Sequence, residues 1–399
     1  VPAVLIGADK LLIDKLTRED QEYTIRLRRE FHRYPELSFN EFKTSEIIKR
    51  ELDNLEIPYN IIGNTGVVAI IKGKLEGKTI ALRADMDALP IKEETDVDYK
   101  SLNEGCMHAC GHDSHMAMLL GAARVINRMR DDIKGNIRLV FQPAEEVGGG
   151  ARRLVEEGVL KEVDGIFGIH AWSDIETGYV SIEEGPRMAA SGKFVIKVKG
   201  KGGHGSAPNQ GIDAILICSA IVMNLQSVIS RELDPSQCAV LGVGSIKSGT
   251  AFNIIASEGI MEGTTRCFDH EINKAFPEII ERIARNTAEA YRGEVEVEYS
   301  DNTPVLINHR ECSKIASKAA EKIGAKNITI DRIKASEDFA EYTNRIPGVF
   351  ALLGVRNEKK GACYAQHHHK YNLDEDALEV GVKLFVQYAF DFLNEYNKK

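Results

Sequence analysis

The chain has no excess of positive charge: 51 Lys and Arg stand against 60 Asp and Glu, a formal net charge of −9. Phosphate backbones are held by Lys and Arg in surplus, so nucleic acid is not an expected partner. No long uncharged apolar run of bilayer-spanning length is evident either, and no membrane partner is expected. The segment Val1 to Lys15 is apolar but broken by Asp9, Lys10, Asp14 and Lys15, which makes it a poor secretory signal. Cysteine is sparse, seven scattered residues in 399. An odd, dispersed set argues for reduced thiols in a cytoplasmic protein rather than a disulfide framework. Internal repeats and low-complexity segments are also missing. What remains is ordinary for a globular chain, 43% hydrophobic and 28% charged, and its length suits two domains.

One stretch is not ordinary. Cys106-Met107-His108-Ala109-Cys110-Gly111-His112-Asp113-Ser114-His115 puts two thiols, three imidazoles and a carboxylate into ten residues. All coordinate borderline-soft divalent metals once deprotonated, and Gly111 lets the backbone bend between Cys110 and His112. A closed structural zinc site from Cys106, Cys110, His112 and His115 is conceivable, but the spacing is wrong for a finger and a chain this long needs no staple.

The surrounding pattern places this stretch in an α/β layer. Helices are expected at Thr17 to His32, with Thr17 as cap, and at Phe42 to Leu55. Strands are expected at Val67 to Ile71 and Thr79 to Leu82, the second entering Arg83-Ala84-Asp85-Met86-Asp87. A helix at His115 to Arg130 would begin just after the cluster. A strand at Asn136 to Phe141 delivers Gln142-Pro143-Ala144-Glu145-Glu146. A helix at Ala151 to Glu157 then leads to a strand at Gly165 to Ile169, which delivers His170-Ala171-Trp172. Alternation of this kind predicts a largely parallel sheet with ligands at the carboxyl ends of its strands.

The texture changes near Gly185-Pro186. Strands at Lys193 to Lys199, Val240 to Ser248, Glu258 to Arg266 and Glu294 to Tyr299, with helices at Asp213 to Arg231 and Glu271 to Tyr291, predict an inserted α+β unit. Gly200 to Pro208, around His204, reads as a loop. From Val305 onward α/β character resumes, with helices at Arg310 to Ile323 and Glu375 to Tyr396.

Paired Glu145-Glu146 is ambiguous alone, because such pairs usually lie on solvated helix faces. After an apolar strand, one carboxylate can bind metal while its neighbour takes a proton from a water activated by the ion. His170 and the run His367-His368-His369 add imidazoles.

Together, Met107-His108-Ala109-Cys110-Gly111-His112-Asp113, Gln142-Pro143-Ala144-Glu145-Glu146, Gly168-Ile169-His170-Ala171-Trp172 and Gly202-Gly203-His204-Gly205 resemble the M20 metallopeptidase family, in its amidohydrolase branch (M20D). The resemblance spans about His32 to Glu375. It implies an α/β, two-domain architecture: a mostly parallel-sheet, di-metal catalytic domain (1–186 and 303–399) with an inserted α+β, ferredoxin-like lid or dimerisation domain (187–302). It implies two divalent ions per subunit, zinc or manganese foremost and cobalt or nickel after them, with Cys110 bridging and His112, Glu146, His170 and a C-terminal His as further ligands. Counting back from Glu375 through Tyr371 in the family's His-x-x-x-aromatic-x-x-x-acidic pattern selects His367, with His368 as runner-up. Glu145 would be the general base, and His204 would polarise the scissile carbonyl, reaching the site of a neighbouring subunit. Asn253 and Arg266 match substrate-binding positions. Where relatives have His-x-Asp this chain has Arg83-Ala84-Asp85, which leaves Asp85 to orient a ligand. Many relatives have histidine where Asn209 stands.

The activity implied is metal-dependent hydrolysis of the linear amide of N-acyl amino acids, such as N-acetyl or N-benzoyl compounds, by a homodimer or homotetramer. The alternatives are an exopeptidase or dipeptidase acting on short peptides, an N-acetyl-diaminopimelate deacetylase, and a non-catalytic metal-binding scaffold.

Overall fold

The computed structural model describes residues 10–397, apart from the side chains of 301 and 302. Most of the Val1 to Lys15 segment therefore lies outside the described residues. The chain divides into two compact units. One comprises the described residues up to Gly185 with Ile307–Asp331 and everything from Glu341 onward; the other comprises Pro186–Leu306 and Arg332–Ala340.

The first unit is built on an eight-stranded sheet. In chain order its strands are β1 (Tyr59–Ile62), β2 (Gly66–Lys72), β3 (Leu75–Asp85), β4 (Lys134–Gln142), β5 (Gly165–Glu176), β6 (Tyr179–Ser181), β7 (Lys326–Asn327) and β8 (Gly348–Arg356). Across the sheet the order is β1-β2-β4-β3-β5-β8-β6-β7. The four central strands β4, β3, β5 and β8 run parallel, and β1 and β2 join antiparallel at one edge. The centre is buried on both faces, as parallel sheets are: every residue of β8 but the last is buried. Helices His112–Arg128 and Asp376–Tyr396 pack against β3 and against each other. Their apolar faces join the sheet in one core that includes Leu82, Leu119, Phe167, Leu353 and Phe385.

The second unit has a four-stranded antiparallel sheet from Ala190–Lys199, Ala239–Ser248, Glu258–Cys267 and Glu294–Thr303. Taken in chain order as first to fourth, these strands lie second-third-first-fourth across the sheet. Helices Ala214–Ser227 and His270–Ala290 follow the first and third strands, the split β-α-β arrangement of a ferredoxin-like unit.

Several expectations shift. The helix expected at Thr17 to His32 is two helices, Lys10–Glu19 and Gln21–Arg33. Thr17 is buried inside the first rather than capping it, and Asp20 at the break accepts from Arg124 at 2.9 Å. The helix expected at His115 starts at His112, so one candidate ligand sits in its first turn. β5 runs on to Glu176, which puts His170 inside the strand rather than beyond it. β1, β6, β7 and β8 are not among the strands expected from the sequence. A short continuous apolar run such as β8 has no periodicity to distinguish it.

The expectation about long apolar runs also needs correction. Ala214–Glu232 is long and apolar enough to cross a membrane by length and composition. Ile217, Cys218, Ile221 and Leu225 are buried along it, and it packs against three strands of its own unit's sheet. That packing accounts for the buried part of its apolarity, while Ile215, Leu216 and Met223 on the helix are exposed.

Candidate metal centre

Gly111 is the pivot of the ligand-rich segment. Its φ of +91° is left-handed, and a Cβ there would come within 2.8 Å of the Tyr371 hydroxyl. Glycine alone meets both demands cheaply. The bend sends Cys110 and His112 to the same place, so that Cys110, His112 and His170 form a wholly buried group with ligand atoms within 4.8 Å of one another. A second group, Cys110, Glu146 and His367, meets the same limit and shares Cys110. Glu145 joins through His112 and Glu146, whose ligand atoms group with its own.

The orientation of each ring is fixed from behind. His112 Nδ1–H donates to the Asp87 carbonyl at 2.8 Å, and His170 Nδ1–H to the Ala171 carbonyl at 2.7 Å. Backbone acceptors of this kind select the tautomer that leaves Nε2 as a lone pair. For His170 that nitrogen stands 3.5 Å from Cys110 Sγ. For His112 it is buried with no hydrogen-bond partner, and so is Glu146 Oε1. Buried polar atoms are nearly always satisfied. Two orphaned acceptors beside a thiol, two imidazoles and a second carboxylate fit a pair of divalent cations.

Electrostatics point the same way. Burial, with Glu146 beside it, pushes the Cys110 thiol well above its ordinary range. Burial also raises Glu146 to about 7, with Asp87 and Asp85 adding to the effect against His112. Desolvation would lower His112, but Asp85 and the bond to Asp87 hold it well above its usual value. Surroundings that favour positive charge favour a bound cation as much as a proton. His170 is kept neutral by burial and by neighbouring His115, the state a ligand needs.

The Glu145-Glu146 turn is held by two buried carboxylates. Asp87 accepts from the backbone N–H of Glu145 at 3.1 Å and of Glu146 at 3.0 Å, and from the Ser38 hydroxyl at 2.7 Å. Glu41, fully buried, accepts from Ala144 N–H at 2.9 Å, Phe39 N–H at 2.9 Å and the Thr65 hydroxyl at 2.8 Å. Ala144 is left-handed, with φ of +55°. Such strain costs about 1–3 kcal/mol, and hydrogen bonds to charged groups return about 1.5–3 kcal/mol each. The bonds win. Gly150 completes the turn, because any Cβ there would lie 1.6 Å from the Pro143 carbonyl oxygen.

Asp85 lies against two rings, that of His115 and, less closely, that of His112. It bonds His115 Nδ1 at 2.5 Å and pairs with Arg83 at 2.7 Å, while His112 Nε2 is 3.7 Å away. His115 Nε2 in turn accepts from Ala171 N–H at 2.8 Å. Both its nitrogens are thereby engaged, and Asp85 supports the backbone next to His170 through it. Asp87, two residues on, is nearer to His112: its carbonyl accepts from Nδ1 at 2.8 Å and its carboxylate is 3.4 Å from the same nitrogen. Sequence reasoning passed over Asp87 and Glu41; the Asp-Met-Asp spacing was the one available signal.

Of the three C-terminal histidines, His367 faces Glu146, with Nε2 3.6 Å from Oε2. Its backbone N–H donates to the Ala109 carbonyl at 2.8 Å, and Gln366 donates to the Ala171 carbonyl at 2.9 Å. His368 is stacked between Tyr364 and His369. The remaining expected residues lie in the second unit. His204 and Asn253 come together there: Ile254 pairs with His204, and Gly205 N–H donates to the Asn253 carbonyl at 2.8 Å. His204 is exposed, its Nδ1 2.7 Å from the Ser206 hydroxyl. Arg266 is half-buried and donates to the Thr265 carbonyl at 2.7 Å.

Comparison with known proteins agrees with this geometry. The model of peptidase family M20/M25/M40 matches residues 81–391. The chain is 40% identical to the N-acetylcysteine deacetylase of Bacillus subtilis over 92% of its own length and 95% of that protein. It is also 40% identical to thermostable carboxypeptidase 1 of Saccharolobus solfataricus, over 96% and 100%. Among solved structures it resembles a dinuclear metal-binding M20 peptidase from Bacillus subtilis, with a TM-score of 0.84 and 36% identity over 95% and 99% of the two chains.

Proposed function

The chain belongs to peptidase family M20/M25/M40, in its amidohydrolase branch, and on that premise we propose that it removes the acyl group from N-acyl amino acids. The observation that carries this reading is the pair of ligand groups sharing Cys110, with Glu145 beside both His112 and Glu146.

Cys110, His112 and His170 would hold one divalent cation, and Cys110, Glu146 and His367 the other, zinc or manganese in either place. When bound, the pair polarises a carbonyl and acidifies water. Glu145 takes the proton of the attacking water and returns it to the departing amine. His204 donates to the oxygen that gains charge, and Asn253 and Arg266 contact the substrate. A donor aimed at a developing oxyanion is worth about 3–4 kcal/mol. We also propose a homo-oligomer, dimer or tetramer. Support comes from the second unit, where Ile215, Leu216, Met223, Val240 and Ile246 are exposed and Ala239–Ser248 is an edge strand.

The test is a panel of N-acetyl and N-benzoyl amino acids against unblocked dipeptides and acyl-free controls, on protein reconstituted with each metal in turn. Preferential cleavage of the blocked compounds is expected, together with loss of about 10²–10⁴-fold in kcat for Glu145→Ala at unchanged metal content. Preference for unblocked dipeptides would favour the peptidase reading that the carboxypeptidase similarity suggests. Full activity of Glu145→Ala would exclude it as the base.

A further inference from the structure

Arg28 is, with Arg83, the largest fully buried side chain among the described residues, and it lies far in sequence from every candidate ligand. Burying a guanidinium is costly unless its charge and its five donors find partners. Two arms of this one contact the two chain segments that carry the ligands. Nε is 2.9 Å from Asp113, the residue after His112. On the other side Nη2 donates to Asn372 at 3.1 Å, and Nη1 is 3.4 Å from Glu375. Arg29 closes a bidentate pair on the same Glu375 carboxylate at 2.9 and 2.7 Å.

The Asp113 side is itself over-determined. His32 bonds Asp113 at 2.7 Å and Glu93 at 3.1 Å, and Ser114 N–H donates to the other Asp113 oxygen at 2.9 Å. The C-terminal side has no equivalent. Among the described residues, the His367 ring makes no hydrogen bond of the kind that fixes His112 and His170, and its side chain is 54% exposed. Its position therefore depends on how the segment from His367 to Glu375 is tied down. The ties are the Ala109 and Glu94 backbone bonds at one end, the buried Tyr371 and Leu373 with Asp374 held by Val355, Asn357 and Lys360 in the middle, and Arg28 with Arg29 on Asn372 and Glu375.

We propose that Arg28 is a positioning residue, bridging Asp113 to Asn372 and Glu375 so that His367 is held at cation-binding distance from Cys110 and Glu146. This rests on His367 being a ligand. It also gives the acidic residue eight positions after His367 a role as an anchor for the loop, with no part in the chemistry.

Metal content of the reconstituted, desalted protein, measured by plasma mass spectrometry, tests it together with a cation titration. Removing Arg28 outright would strand Asp113, so two milder variants are used. Asn372→Ala with Glu375→Gln cuts only the C-terminal arm. Arg28→Lys keeps charge at Asp113 but loses the fork. Each is expected to bind one cation as wild type does and the second at least about tenfold more weakly. The melting temperature of the metal-free protein should fall in both variants, because the buried charge loses partners, so the readout is the difference between the two cations. Restoring Glu375 in the double variant should recover part of the affinity. Two cations held as tightly as in wild type would overturn the proposal, and so would equal loss of both, which marks general disorder. His367→Ala separates this from the underlying reading: if it too retains two cations, His367 is no ligand and that reading fails first.

Discussion

Cys110, His112 and His170 are 8%, 0% and 4% exposed, whereas the group that shares Cys110 with them leaves the His367 side chain 54% exposed. The first group stands on regular structure, a helix N-terminus and a central strand, with each ring fixed by a backbone carbonyl. The second stands on a strained turn and a loop, and its precision is borrowed from carboxylates and an arginine elsewhere in the chain. Packing can hold the first group by itself. The second needs dedicated polar supports, which are the kind of contact a single substitution can remove.

The largest expected effect falls on the residue common to both groups. Cys110→Ala should abolish binding of both cations, with affinity down by more than about 100-fold and turnover lost with it. His170→Ala, by contrast, should weaken the buried group alone. Plasma mass spectrometry on the purified variants gives the counts. If Cys110→Ala keeps one cation at full occupancy, the two groups do not share the thiolate and the comparison collapses.

The buried group was also the more legible in sequence. Cys110, His112 and His170 lie next to glycines and apolar runs whose periodicity shows where strands end and a helix begins. The exposed group was legible only through resemblance, since nothing local distinguishes His367 from His368; what separates them is a bond from one backbone N–H to Ala109, some 250 residues earlier. Long-range polar contacts leave no periodic trace. Glu41 looks like any acidic residue before a helix, and Arg28 like a surface position on an amphipathic one, yet both are fully buried. The fold was legible for a similar reason: alternating strands and helices leave repeated apolar patterns, and the exceptions in the large sheet, β1, β6, β7 and β8, are short or uniformly apolar.

A smaller effect separates the groups by pH. Filling the buried group would displace protons from Cys110 and His112, both raised in the metal-free protein, while His170 is kept neutral by burial. The exposed group would displace one proton, from Glu146, whose carboxyl is raised to about 7 by burial in the metal-free protein and is lowered by a cation already held at Cys110. A raised carboxyl is protonated below its pKa, so affinity for the second cation should fall as pH falls. The expected slope for the second cation is at most about tenfold per unit, for one proton, and shallower than that of the first, for two. Manganese titrations followed by equilibrium dialysis between pH 5.5 and 8.5 measure it. A slope equal for both cations would mean that Glu146 does not distinguish them.

The smallest effect tests the support under the Glu145-Glu146 turn. Glu41 Oε1 accepts from both Phe39 and Ala144, and its other oxygen accepts from Thr65. Gln can keep the first two bonds with its carbonyl, and the Thr65 hydroxyl can rotate to accept from its amide. Ala keeps none, and leaves a left-handed Ala144 with less to hold it. Glu41→Ala should therefore lower kcat about tenfold with KM and the buried cation unchanged, while Glu41→Gln stays within a few-fold of wild type. Equal losses in the two variants would show that charge rather than hydrogen-bond geometry is what Glu41 supplies. Loss of the buried cation in either would show that the two groups do not depend on separate supports.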